Sequence, residues 1–291
     1  MGYSDLRRLP IVTPSSLPEQ QSIATYLDRK TKQIDGLIEK KQNQIDLLRE
    51  QRIAVINEAV TKGLNPKAKM KDSGIEWIGE VPAHWDVKQL RYLLSFVSGG
   101  TPPTEKDEYW NGDLPWVSPK DMKVAVIKDT EDHVTQKAVQ DNRTATMSKG
   151  SALMVVRSGI LQHTIPVAIA GREVAINQDI KGIIPKGNIF SSLFFVMVVK
   201  GRQNYLLEAW RKQGATVESL ETDFIRNTAF PLPPLAEQQS ITTFLDHKTS
   251  EFDTMVAKEE RLIELLQEYR TSLISEVVTG KVDVRDVRSE N

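Results

Sequence analysis

Apolar residues recur at steps of three, four and seven along two long stretches of the chain. In the first, Ile23, Leu27, Ile34, Ile38, Ile45, Leu48 and Val55 form a stripe; in the second, Ile241, Leu245, Phe252, Val256, Ile263, Leu266 and Leu273 do the same. Steps of this size are the signature of a helix that lays a coiled-coil seam against a partner. Prolines stop just upstream of each stretch, Glu19 and Glu237 fall in the first turn, and no proline interrupts the run. Helices are therefore predicted over about residues 19–62 and 237–280. Charged residues such as Lys30, Lys40, Glu50 and Arg52 fill the other faces and are read as solvated surface.

The two stretches are copies of one another. Leu17 to Thr61 and Leu235 to Thr279 align without a gap at an offset of 218 residues and agree at about half of their positions. The register extends upstream, where Asp5 and Arg8 match Asp223 and Arg226, and a proline-rich approach precedes each copy. A helix of this length spans roughly 65 Å at 1.5 Å per residue, and neither could bury its stripe alone. The economical arrangement has the two helices returning antiparallel against each other, with the intervening block forming a domain of its own.

Between the helices, from Asp72 to Phe230, the texture changes to short apolar runs broken by Gly, Pro and Asn. Strands are predicted at Val87 to Phe96, Pro115 to Val117, Ala152 to Arg157, Pro166 to Ala170, Glu173 to Ile176 and Ile180 to Ile184. Helices are predicted at Glu131 to Gln140 and at Phe190 to Gln213, the latter with a break at Gly201. The fold class is thus α+β, one domain with a curved or partly closed sheet, flanked by two long helices packed as an antiparallel coiled coil.

Composition removes several classes of function. The chain of 291 residues has 40% hydrophobic residues, enough for one large core or two modest ones. Its net charge of −1 provides no long-range field that would announce a nucleic-acid partner. It has no cysteine, so disulfides, thiolate metal sites and Cys nucleophiles are excluded, in keeping with a reducing cytoplasm. Neither a signal-peptide core nor a membrane-length apolar run is present, and a soluble, cytoplasmic protein with no membrane partner is expected.

Catalytic motifs are missing as well. His84, His133, His163 and His247 show no metal-ligand spacing, and there is no phosphate-binding Gly-rich loop, nucleophile elbow, dinucleotide fingerprint or base-gripping Asn/Asp-Pro-Pro-aromatic turn. What remains are polar loops at strand ends. SGGTPPT, with Ser98, Gly99, Gly100 and Thr101, reads either as a place where backbone amides approach a ligand or as a tight turn needing positive φ. WVSPKD ends a strand, with Ser118 as a cap and Lys120 exposed. DNRTATMSKG and VVRSGILQH add Arg143, Lys149, Arg157, Gln162 and His163, side groups able to pair with phosphates or base edges. INQDIKG ranks lower, because Asn177 and Asp179 can organise a turn internally. Trp77, Trp85, Trp110, Trp116 and Trp210 read as core or hinge anchors rather than stacking platforms.

Four segments give a resemblance. SGIEWIGEVPAHWDVKQL (73–90), SGGTPPTEKDEYWNGDLPWVSPKDM (98–122), GATVESL (214–220) and FPLPPLAEQQSI (230–241) closely resemble the specificity subunits of Type I restriction-modification systems. The resemblance implies a target recognition domain that reads one half of a split double-stranded DNA sequence, and helices that act as spacer and as docking surface for two methyltransferase subunits. It implies no catalysis and no cofactor in this chain; S-adenosylmethionine, ATP and magnesium would belong to the methyltransferase and motor-nuclease partners. Expected boundaries are 1–16 for the remnant of a first recognition domain, 17–62 for the first spacer helix, 63–234 for the recognition domain, 235–280 for the second helix and 281–291 for a tail. With one reader where the family has two, a homodimer or pairing with another specificity chain is expected. A coiled-coil adaptor, or a silent fragment with no DNA reading of its own, remains the rival.

Overall fold

The computed structural model describes residues 13–14, 16–141, 143–214 and 216–284. The expected remnant at 1–16 lies largely outside the described residues, as does the tail from 285 on. In sequence order the elements are α1 (Leu17–Lys62), β1 (Met70–Asp72), β2 (Glu80–Pro82), β3 (Asp86–Gln89), α2 (Leu90–Leu93), β4 (Leu94–Ser98), β5 (Trp110–Val117), β6 (Val126–Ile127), β7 (His133–Val134), α3 (Gln136–Gln140), β8 (Ala145–Met147), β9 (Ala152–Val155), β10 (Val167–Ala170), β11 (Val174–Ile176), β12 (Ile180–Pro185), α4 (Ser192–Gly201), α5 (Gln203–Trp210), α6 (Thr222–Asn227), β13 (Ala229–Leu232) and α7 (Leu235–Val278). They form two compact units, Met1–Gln51 with Ser250–Asn291, and Arg52–Thr249. The division falls inside both long helices.

In the helical unit, α1 and α7 run antiparallel. Asp35 accepts two hydrogen bonds from Arg270 (2.8 and 3.2 Å), Lys41 meets Glu259 at 2.8 Å, and Arg49 meets Glu260 at 3.3 Å. Asp35 faces Arg270, whereas Lys41 and Arg49, further along α1, face Glu259 and Glu260, which precede Arg270 in α7. Ile34 and Leu273 anchor the apolar cluster, with Ile23, Leu27, Ile38 and Leu266 packed against it. Ile45 is buried, and Leu48, Phe252, Val256 and Ile263 are half-buried. The cluster also takes in Tyr26, Val277 and Val284, which the heptad pattern leaves out.

Val55, Ile241 and Leu245, expected in that seam, pack instead with the core of the central unit. The apolar period is the same in both environments, but around these positions the central unit's own elements supply apolar surface. Ile56, Ala59 and Val60 of α1 join the same core.

The central unit holds a five-stranded sheet, β4-β12-β9-β10-β6, and a four-stranded sheet, β7-β5-β11-β8, with two small pairs, β1-β2 and β13-β3. β5 and β11 pair in parallel, as do β6 and β10. Strands β9, β10 and β11 are buried along their whole length, which explains their unbroken apolar runs. The predicted strand Val87–Phe96 is two strands separated by one helical turn. β3 pairs with β13 and β4 with β12, so the backbone passes from one sheet to the other at Leu90 and Leu93, which are both fully buried. The predicted helix Glu131–Gln140 begins only at Gln136, because Val134 is buried and pairs with β5.

The break predicted at Gly201 is present between α4 and α5. A Cβ there would lie 2.8 Å from Ile56 Cγ2 and 2.9 Å from Asn57 Oδ1, so glycine lets this bend close on α1. Trp77, Trp85, Trp116 and Trp210 are buried, and Trp85 and Trp210 place their indole N–H on Glu237 Oε2 and Thr228 Oγ1. They are anchors, as the sequence pattern predicts.

Candidate nucleic-acid interface

Strand register gathers the polar loops at one rim. Ile176, the last residue of β11, lies opposite Val117, the last of β5, and opposite Ala145, the first of β8. Ile180, the first of β12, lies opposite Val155, the last of β9, and Lys181 opposite Ser98, the last of β4. The loops after β4, β5, β9 and β11 and the one before β8 therefore emerge side by side. All the candidates except Lys149 sit on them. Lys149 falls in the turn from β8 to β9, where Gly150 N–H bonds to Ala170 at the far end of β10. It is separated from the rim by the length of those strands, and the register does not bring it together with the other candidates.

The centre of the rim is the segment Asn177–Lys181, which crosses from the four-stranded to the five-stranded sheet. Asn177 is buried; its N–H bonds to Val117 and its Oδ1 accepts from Asp179 N–H (3.0 Å). The backbone carbonyl of Asp179 accepts from Val156 N–H. Its carboxylate accepts from Arg157 Nε at 2.7 Å and from Gln178 Nε2 at 3.4 Å. Gln178 Oε1 takes the Thr101 hydroxyl, and Lys181 Nζ donates to Ser98 Oγ. Thr101, Gln178, Asp179 and Arg157 thus form one connected array. The sequence pattern ranks this segment low, as a turn organiser; it organises the turn and carries the array as well. Its signal is a run of four polar or charged positions between two buried strands, broken only by Ile180.

Gly99 and Gly100 do not form a positive-φ turn. Neither has positive φ. A Cβ on Gly99 would overlap the carbonyl oxygens of Ile176 and Asn177, and one on Gly100 that of Arg143. Their bareness lets the loop after β4 lie against β11. Gly100 N–H bonds to Ile176 C=O, and its own C=O accepts from Trp116 Nε1.

Two of the rim cations, Lys120 and Arg157, are paired with carboxylates of the rim itself. Lys120 Nζ lies 2.9 Å from both Glu131 and Asp132, and hydrogen bonds to these carboxylates raise its pKa above the ordinary lysine value. It is exposed, as WVSPKD predicts, and its charge is held by these two carboxylates. Asp121 caps Ser118, accepting from its N–H and hydroxyl. Burial lowers the pKa of Lys181. Arg143 is exposed, and its guanidinium has no partner among the described residues; Gln162 and His163 project from the turn after β9. No cluster of three or more His, Asp or Glu residues able to hold a metal occurs among the described residues. No described helix is long and apolar enough to cross a membrane.

Where α7 begins, the central unit closes on it. Glu237 accepts from His84 Nε2 (2.6 Å) and Trp85 Nε1 (2.9 Å). Gln238 is fully buried: Oε1 accepts from Ser191 N–H (2.9 Å), and Nε2 donates to the carbonyls of Ile189 and Pro233 (both 2.8 Å). The repeated EQQ motif is, in this copy, a joint between domain and helix.

A mixed-sheet domain inserted between the two copies of a repeated helix, with its polar loops gathered on one rim, is the build of a sequence-recognition module. The family of Type I restriction modification DNA specificity domains matches residues 82–265, and the chain belongs to it. The specificity subunit of the Type I restriction enzyme EcoR124I/EcoR124II from Escherichia coli is 30% identical over 87% of this chain and 57% of its own length. That of MjaIX from Methanocaldococcus jannaschii is 32% identical over 67% of this chain and 44% of its own. The protein thus spans about half the length of these curated relatives. A polypeptide from a solved type I R-M system, studied for its complex assembly and conformational transition, shares the fold at a TM-score of 0.73 and 15% identity, over 97% of this protein and 64% of that one.

Proposed function

We propose that this protein is the DNA-reading, non-catalytic part of a Type I restriction-modification complex in the cytoplasm, and that the rim around Asn177–Lys181 reads one half-site. The observation that carries the reading is the convergence, by strand register, of the loops at 98–101, 118–121, 143–144, 156–163 and 177–181. These loops present hydroxyl, amide and guanidinium groups, the chemistry that meets base edges in the major groove. With Lys120 and Arg157 paired to carboxylates of the rim and a net charge of −1, little of the affinity comes from phosphate neutralisation by this protein. Partner subunits supply that part, together with S-adenosylmethionine, ATP and magnesium.

The helical unit is the docking surface for two methyltransferase subunits. Exposed apolar residues support this: Leu37 and Leu47 on α1 recur at the repeat-equivalent positions Met255 and Leu265 on α7, each about half exposed. Antiparallel copies place such pairs in two equivalent environments, fitting two copies of one partner. Motor-nuclease subunits join this core.

Co-expression with a Type I methyltransferase subunit, followed by genome-wide mapping of methylated adenine, tests the reading. The expected result is an interrupted motif that changes when the rim loops are exchanged for those of a relative. A palindromic motif indicates two copies of this protein in the complex, an asymmetric one a second specificity chain. Methylation indifferent to the exchange would refute DNA reading by this rim.

A further inference from the structure

Among the rim cations only Arg157 is held in a fixed direction by a partner that leaves its terminal nitrogens unused. Its Nε donates to Asp179 Oδ1 at 2.7 Å, while Nη1 and Nη2 donate to nothing among the described residues. The guanidinium is exposed and the carboxylate behind it is largely covered, with side-group exposures of 56% and 19%. The carboxylate is itself fixed, since Asp179 N–H bonds to Asn177 Oδ1 and its second oxygen accepts from Gln178. The arginine backbone is clamped on both sides: Val156 N–H reaches Asp179 C=O, Arg157 bridges Ser219, and Ser158 N–H reaches Glu218 C=O. An exposed ion pair of this kind contributes little to stability. What it does provide is a planar two-donor edge aimed outward with little rotamer freedom left to lose on binding.

From this geometry we infer, resting on the proposed reading of DNA by the rim, that Arg157 reads a guanine in the half-site and that Asp179 is its positioning residue. Two adjacent donors match the two adjacent acceptors O6 and N7 of guanine; adenine offers an acceptor beside a donor and would leave one N–H unpaired. Lys120 cannot serve in this way, because its charge is shared between two carboxylates and its ammonium has no fork. Arg143 has the fork but nothing among the described residues that aims it.

A phosphate would accept the same fork, and 7-deazaguanine separates the two, since it removes N7 and leaves every phosphate in place. The experiment measures binding of the full-length protein, assembled with its methyltransferase subunit, to its methylated motif with each guanine replaced in turn. The wild-type complex is expected to lose about 5- to 150-fold in affinity at one guanine. Arg157→Ala should bind both DNAs alike at that position, while Arg157→Lys, which keeps a donor but loses the planar fork, should retain only part of the discrimination. Asp179→Asn should lose most of the discrimination at that guanine, while its unfolding midpoint stays close to wild type. Asp179→Glu, which restores a carboxylate, should recover part of it. Undiminished sensitivity in Arg157→Ala, or no sensitive guanine in the wild type, overturns the assignment. A wild-type complex that does not distinguish its motif from scrambled DNA overturns the broader reading instead.

Discussion

Gln20 and Gln238 occupy the same position of the repeat and should respond to the same substitution in opposite ways. Gln238 is fully buried and spends its amide on three backbone groups: Ser191 N–H at 2.9 Å and the carbonyls of Ile189 and Pro233 at 2.8 Å. Gln20 is exposed, and among the described residues its Nε2 reaches only Pro14 C=O at 3.3 Å. Gln238→Ala removes three hydrogen bonds with a net worth of about 0.5–1.5 kcal/mol each and leaves their backbone partners unmet. It also removes a buried methylene, about 0.8 kcal/mol. The expected loss is about 2–5 kcal/mol, and at about 2–4 °C per kcal/mol the central unit should melt roughly 4–20 °C lower. Gln20→Ala should change stability by no more than about 0.5 kcal/mol. Guanidinium unfolding followed by circular dichroism measures both, and amide exchange at Ser191 reports the joint directly. Equal costs for the two substitutions, or a Gln238→Ala cost within about 0.5 kcal/mol of zero, would refute the claim that this glutamine locks domain to helix.

Other consequences can be checked separately. Lys41 and Glu259 are repeat-equivalent positions that meet at 2.8 Å, so an unmodified repeat would set like charges against each other there; Lys41→Glu should cost about 1 kcal/mol, and adding Glu259→Lys should recover it in a double-mutant cycle of urea midpoints. Gly201→Ala, which thrusts a methyl at Ile56 and Asn57, should destabilise by about 1–3 kcal/mol in thermal unfolding. Leu37→Asp and Met255→Asp should each remove one methyltransferase subunit from the assembly, and together both, as read by native mass spectrometry. A hydrogen bond from His133, then one from the Thr130 N–H, hold the pKa of Asp129 below the ordinary aspartate value. A folded-state pKa under the unfolded one means that this contribution is complete above the ordinary value and lost as pH falls through the depressed one. NMR titration of the Asp129 carboxyl should show its midpoint moving up toward the ordinary value in His133→Ala.

Helix identity, the seam residues near Ile34 and Leu273, the strands from β9 to β12 and the break at Gly201 were legible in the sequence because each rests on local period or local backbone preference. A buried strand needs an apolar run and a paired helix needs its heptads, wherever the rest of the polypeptide goes. The polar loops were legible as loops, but not as neighbours. Ser98, Lys120, Arg143 and Arg157 share a rim only because β11 lies beside both β5 and β8 and continues into β12, pairings that join residues far apart in the sequence.

The repeat, by itself, determined that the protein builds two like helices able to pair head to tail. Tertiary structure decided what each copy does, since a periodic stripe is indifferent to the apolar surface it meets. It sent Leu245 into the domain core and Ile34 into the helical pair, buried Gln238 and left Gln20 in solvent. It also turned a low-ranked turn motif into the centre of the polar rim, because the direction of Arg157 depends on a carboxylate that only sheet pairing brings within 2.7 Å.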